Sequence, residues 1–257
     1  MNLILFFQPT KPLAVSVRGF NLGVNMLKDI CYILKPDIKP DELIYSLRSV
    51  EANFPHRYVW FVCGQPDGLV PDRRLVHVQS GNSKWNLIKS SMWEIVRNEE
   101  ITEDFFLFND DFFIMKPTDT EHWTNFVDGT LEERIISGHK AAGMNPYLRT
   151  LFKADQELKT LGCPRMNYDV HLPMLMNKQK VIASINQCSS PQMRSIYGNI
   201  NRDPYIIHPD VKVCQMDVVP HEPDFLSTNE ESFNDGAVGN YIRSMFTEAS
   251  RFEVNGK

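Results

Sequence analysis

Residues 105–116 read FFLFNDDFFIMK: an unbroken apolar and aromatic run, the turn residues Asn109, Asp110 and Asp111, and a second apolar run. A continuous apolar stretch without alternation predicts a strand buried on both faces, the kind found in a parallel sheet covered by helices. Two adjacent carboxylates at its end repel each other, and an ionised carboxylate taken out of water is costly unless something neutralises it. A bound divalent cation meets both difficulties. Asp110 and Asp111 would supply hard oxygen ligands, with water and a phosphorylated ligand completing the shell. The competing reading is a strand that ends in an acidic turn with both carboxylates solvated.

The pattern around this segment predicts an α/β fold. Strands over 29–34, 58–63, 74–79 and 104–109 alternate with helices over 41–53 and 84–97, which implies a mainly parallel sheet with helices on both faces. Ligands in such sheets bind beyond the carboxyl ends of the strands, where Asn109, Asp110 and Asp111 fall. In the first helix Leu43, Ile44, Leu47 and Val50 follow 3.6-residue spacing, and Asp41 and Glu42 suit its first turn after Pro40. Arg48 leaves that stripe at its edge, where a guanidinium reaches either a cleft or solvent while its stem packs. In the second helix Leu87, Ile88, Ser91, Met92 and Ile95 make the buried stripe, leaving Lys84, Asn86 and Lys89 to face a cleft or water. The C-terminal half reads as more helical, with helices over 130–135 and 147–162. In the latter, Leu148, Leu151, Phe152, Asp155, Leu158 and Leu161 are spaced for one face and Gly162-Cys163-Pro164 is the stop.

Composition narrows the function class. The chain has 257 residues, 42% hydrophobic and 23% charged, enough for one enzyme-sized domain, expected over 26–250. Residues 1–25 differ from the rest and read as a leader or a loosely held arm. A net charge of −5 disfavours double-stranded nucleic acid as a charge-driven partner. No apolar run reaches the roughly 18 residues of a membrane span. Five cysteines, odd in number and without a C-x-x-C pair, argue for thiols in a reducing compartment and hence a cytoplasmic location, and against a structural zinc site. Among the seven histidines, His171 stands out, bracketed by Asp169 and Pro173. An imidazole titrates near neutral pH, so His171 is either a general base or a hydrogen-bonded core group. Asn229, Glu230 and Glu231 follow Ser227-Thr228 as a helix start, where capping is the simpler role.

Several segments carry a resemblance to a known family. DELIYSLRSVEANFPHRYVWFVCGQP (41–66), followed by DFFLFNDDFFIMKP (104–117), resembles the second conserved region of the Stealth family of sugar-1-phosphate transferases. NYDVHLPMLMNK (167–178) is similar to that family's His-x-Pro segment, and Gln192-Met193-Arg194-Ser195 to its arginine-bearing follow-up. DFLSTNEESF (224–233) is loosely like its last block. The region also looks like small proteins encoded by tailed phages and prophages. The resemblance implies a GT-A-like architecture, with 26–128 as the nucleotide-sugar-binding half and 129–250 as the acceptor side. It implies transfer of a sugar-1-phosphate from a nucleotide sugar to a glycan hydroxyl, assisted by Mg²⁺ or Mn²⁺ on Asp110 and Asp111. In that scheme His171 is the base, Arg48 and Arg194 stabilise charge together with the metal-bound Asp111, and Asn109, Lys84 and Asp37 contact the donor. One departure is visible: the family's first block ends in an acidic turn, whereas Cys31-Tyr32-Ile33-Leu34-Lys35-Pro36-Asp37 retains only Asp37. Transfer of the sugar itself to a glycan or other acceptor, and a phage-associated structural or binding protein without turnover, therefore stay open as alternatives.

Overall fold

The computed structural model describes residues 27–76 and 84–254, with the side chains of 84–86 outside the description. The expected leader over 1–25 lies outside the described residues. The chain begins with β1 (Asp29–Leu34), α1 (Asp41–Asn53), β2 (Val59–Cys63), β3 (Arg73–Leu75), α2 (Lys84–Arg97) and β4 (Asp104–Phe108). The β3 strand stops at Leu75, short of the expected 79, and residues 77–79 lie outside the description. It continues through β5 (Phe112–Ile114), β6 (Asn125–Val127), α3 (Leu131–Ala142), α4 (Pro146–Thr160), β7 (Met174–Asn177), α5 (Lys178–Gln187) and α6 (Met193–Ile200). The last elements are β8 (Tyr205–Ile207), β9 (Lys212–Val213), β10 (Phe225–Thr228), α7 (Glu230–Asn234) and α8 (Ala237–Met245).

The central sheet has strand order β3-β2-β1-β4-β7. Its first four strands are parallel and β7 is antiparallel to β4. The two-residue period of β1 divides the core. Ile30, Tyr32 and Leu34 face Leu43, Leu47 and Val50 of α1, while Cys31 faces Met92 and Ile95 of α2 and Val181 of α5. These are buried hydrophobic clusters on both faces, as a parallel sheet requires.

The helical stripes match the expected spacing in α1 and α2. In α4 they do not match throughout: Leu148, Leu151, Ala154, Asp155 and Leu158 are buried, but Phe152 and Leu161 are exposed. Phe152 follows Leu151 by one residue, about 100° round the helix and off the stripe. Buried Asp155 is held by Arg165 at 2.9 Å. No described helix is long and apolar enough to cross a membrane.

A second sheet, β5-β10-β9, packs against α1. The serines of Ser46-Leu47-Arg48-Ser49 make that contact: Ser46 Oγ donates to the Phe112 carbonyl at 2.6 Å, and Ser49 Oγ accepts from Ile114 N at 3.0 Å. The helix thereby satisfies backbone groups of β5 that no strand pairs, and fixes the segment that follows Asp110 and Asp111.

Candidate functional site

The strand order reverses between β1 and β4, because the chain leaves β1 toward β2 and β3 and returns to β1's other side at β4. A crevice opens beyond the carboxyl ends at such a switch point. Here Tyr32 pairs with Phe108, so the exits of β1 and β4 stand side by side. They carry Lys35 and the Asn109-Asp110-Asp111 turn into one cavity of about 390 Å³. Gly64 permits this arrangement, since a Cβ there would clash with the Lys35 carbonyl oxygen.

The opposite wall comes from the 167–172 segment, which α6 holds in place. Ser195 Oγ accepts from Tyr168 N at 3.1 Å, Asn199 bridges the Met166 backbone at 2.8 Å in both directions, and Arg194 donates to the Leu172 carbonyl at 2.7 Å. Gly198 lets α6 lie against the Tyr168 ring, 2.5 Å from where a Cβ would stand. This clamp delivers Asp169 and His171 to the cavity. Beside them Tyr147 donates to Asp169 Oδ2 at 2.7 Å.

The carboxylates differ in their partners. Register in the second sheet sets Ser227 opposite both Phe112 and Lys212. Accordingly Lys212 Nζ donates to Asp111 Oδ2 at 2.8 Å and Ser227 Oγ does so at 3.2 Å. The other oxygen, Asp111 Oδ1, is buried without a hydrogen-bond partner among the described residues. Burial, and then the charge of Asp111, push the Asp110 carboxyl up to about 6, against the pull of Lys35 and Lys212. Glu42 is pushed up to about 7 by burial, and further by Asp111 and Asp110, although Thr228 Oγ1 donates to it at 2.7 Å. At the far end of the sheet, buried Asp29 makes the contrast: it accepts from Arg57, Trp60 Nε1 and the amides of Tyr58 and Thr102. Asp29 is a satisfied structural carboxylate, and Asp111 is not.

Arg194 is buried, and its guanidinium donates to the Leu172 and Leu107 carbonyls and to Asn109 Oδ1. Its carbon lies 5.2 Å from the Phe112 ring centroid. All those acceptors are neutral, and among the described residues no carboxylate forms an ion pair with it. Burial lowers its pKa to about 10, partly opposed by Asp169 and Asp111. His171 Nδ1 lies 2.8 and 2.9 Å from the two oxygens of Asp210.

The structure thus brings Asn109, Asp110, Asp111, His171 and Arg194 together. Asp37 lines an adjoining cavity of about 340 Å³ that shares Lys35 and Asp110 with the first and includes Glu42 and Glu230. Arg48 is not brought to either cavity. Its Nε and Nη2 bind Glu253 at 2.8 and 2.7 Å, and its Nη1 donates to the Phe246 carbonyl at 2.9 Å. The C-terminal segment returns across α1 and supplies a bidentate partner more favourable than a cleft edge. Lys84 opens α2, but its side chain lies outside the described residues, and Lys89 lines a separate recess beside α4 and α5. Asn229 caps α7 by accepting from Ser232 N, and Glu230 is an exposed partner of Lys39 at 2.6 Å.

Lys212 and Asp210 carry no signal in the sequence, and Glu42, at a helix start by its position, stands in the adjoining cavity. The 208–213 segment has no periodicity that would single out its charges.

Among the described residues no group of three or more His, Cys, Asp or Glu side chains is arranged to hold a metal ion. The two carboxylates nevertheless suit a cation whose shell is completed by water and phosphate oxygens, and the orphaned Asp111 oxygen is the observation that fits one. No protein-family model matches this chain, and no curated protein matches it.

Proposed function

We propose that this protein is a nucleotide-sugar-dependent transferase of GT-A-like architecture that moves a sugar-1-phosphate to a hydroxyl of a glycan, as in the Stealth family that its motifs resemble. One observation carries the reading. The same cavity holds buried Arg194, whose acceptors among the described residues are all neutral, and a buried carboxylate oxygen, Asp111 Oδ1, that has no hydrogen-bond partner among them. A buried guanidinium and a buried carboxylate oxygen so placed are each costly, and a cation bound to an anionic phosphate is the ligand chemistry that relieves both.

Asp110 and Asp111 would hold Mg²⁺ or Mn²⁺, which when bound supplies charge neutralisation for the diphosphate. Arg194, fixed by its backbone contacts, stabilises negative charge on the transferring phosphate without having to reorganise. Lys35 and Lys212, both lining the cavity, attract the diphosphate. His171 takes the proton of the acceptor hydroxyl as its oxygen attacks the phosphorus next to the sugar. Transfer of the sugar alone would use the same donor contacts, with attack at the anomeric carbon instead.

A thermal-shift screen of sugar nucleotides with Mn²⁺ or Mg²⁺ tests the donor site. A ligand at 100 times its dissociation constant stabilises by about 2.7 kcal/mol, so the true donor raises the melting temperature only when a divalent cation is present. A flat response across all nucleotide sugars with either cation contradicts the proposal.

A further inference from the structure

Asp210 lies in the connection between β8 and β9, remote in sequence from the segment that carries His171. Its carboxylate is fixed from several sides. Oδ1 accepts from the backbone amides of His171 and Lys212, each at 3.3 Å, and Arg134 Nη2 stands 4.0 Å from Oδ2. His171 Nδ1 then meets both oxygens within 2.9 Å. The imidazole is seated by Phe112, whose ring it meets nearly edge-on at 83° with centroids 6.3 Å apart.

We infer that Asp210 is the positioning residue for His171, holding the imidazole in the tautomer that carries its proton on Nδ1 and leaving Nε2 as the proton acceptor. An ionised carboxylate can only accept, so a contact this short with Nδ1 requires a hydrogen on that nitrogen. Burial pushes the Asp210 carboxyl up, but the hydrogen bond and charge of His171 and the two backbone amides outweigh it and hold Asp210 below the usual carboxylate range. The two backbone amides that donate to Oδ1 favour the ionised carboxylate independently of the charge on the imidazole.

The inference rests on the reading of His171 as the base of the proposed transfer. In that step the acceptor O–H proton passes to Nε2 as the hydroxyl oxygen bonds to the sugar-bearing phosphorus. The bond from that phosphorus to the bridging oxygen breaks, and its electron pair leaves on nucleoside monophosphate. The imidazolium so formed faces the Asp210 carboxylate, which stabilises it. Without Asp210 the ring is free to carry its proton on Nε2, and that tautomer cannot accept.

Two measurements test this. In resting protein with ¹⁵N-labelled histidine, long-range ¹⁵N–¹H spectra above the imidazole's titration should show His171 protonated on Nδ1 and bare on Nε2. In Asp210→Asn this preference should be lost and turnover should fall about 10²–10⁴-fold with little change in donor KM. Asp210→Glu should restore part of the turnover. The other charged groups lining the cavity with His171 are Lys35, Asp110, Asp111, Asp169, Arg194 and Lys212, with Tyr147 on Asp169, and Arg134 stands beside Asp210; none is altered, so the difference reports Asp210. A wild-type protein with the proton on Nε2 overturns the inference without any variant, as does a folded Asp210→Asn with unchanged tautomer and turnover. The spectra need no substrate, so an Nδ1-protonated ring in a protein that turns over no sugar nucleotide would sink the transferase reading and leave Asp210's hold on the ring standing.

Discussion

Lys212 Nζ sits 2.8 Å from Asp111 Oδ2, while Oδ1 of the same carboxylate has no hydrogen-bond partner among the described residues. The lysine thus neutralises part of the charge that a divalent cation would otherwise meet. Cation and ammonium repel each other at such range, and a phosphate between them relieves that repulsion. Divalent cation and diphosphate should therefore bind with positive coupling.

Lys212→Met removes this competitor. It should destabilise the ligand-free protein by about 1–3 kcal/mol, since it strands a largely buried carboxylate, and should tighten Mn²⁺ binding in the absence of nucleotide by about tenfold. Calorimetric titration with Mn²⁺ alone checks this. Equal affinity in variant and wild type would remove Lys212 from the cation site.

Asp110 carries a pH signature. Its folded pKa of about 6 lies above its ordinary value, so the folded state binds the proton more tightly than the unfolded one. Both states are protonated well below the ordinary value and no penalty exists there. The penalty builds as pH rises from the ordinary carboxyl value to about 6, where the unfolded state has lost the proton and the folded state keeps it, and is constant above that. Asp110→Asn should accordingly stabilise the protein by about 1–3 kcal/mol above neutral pH, with the gain vanishing near pH ~4. Urea melts at several pH values measure it, and Mn²⁺-dependent donor binding should be lost in the same variant.

Arg48 should behave as a structural residue. Its bidentate pair with Glu253 ties α1 to the C-terminal segment, so Arg48→Ala should cost about 1–3 kcal/mol in a denaturant melt. Donor affinity should not change. A loss of donor binding in folded Arg48→Ala would return the residue to the site.

His171→Ala should lower turnover about 10²–10⁴-fold with little change in donor affinity, the split expected for a group that acts on the acceptor proton. Loss of fold instead would identify His171 as a core group.

Local patterning made much of the framework legible. The strand at 29–34 and the helices at 41–53 and 84–97 match β1, α1 and α2 residue for residue, because each combines a clear period with clean stop signals. The Asn109-Asp110-Asp111 turn was legible because charge beside aromatic runs is costly. Arg48 lies away from both cavities because Glu253 holds it, and that partner is so distant in sequence that no local signal points to it. Asp210 and Lys212 were invisible for a related reason: their relevance depends on how β9 and β10 align with the segment after Asp111. The coupling of the Ser46-Leu47-Arg48-Ser49 and Asn109-Asp110-Asp111 motifs gains a physical reading only in three dimensions, where the two serines bond the strand that follows the acid pair.

The most direct test of the central claim is to identify which donor bond breaks. The protein, Mn²⁺, a sugar nucleotide that gives a thermal shift, and hydroxyl acceptors are followed by ³¹P NMR. Nucleoside monophosphate should appear together with a new phosphodiester signal, and both should be lost in His171→Ala. Nucleoside diphosphate without a phosphodiester would contradict the central claim, placing the attack at the sugar carbon.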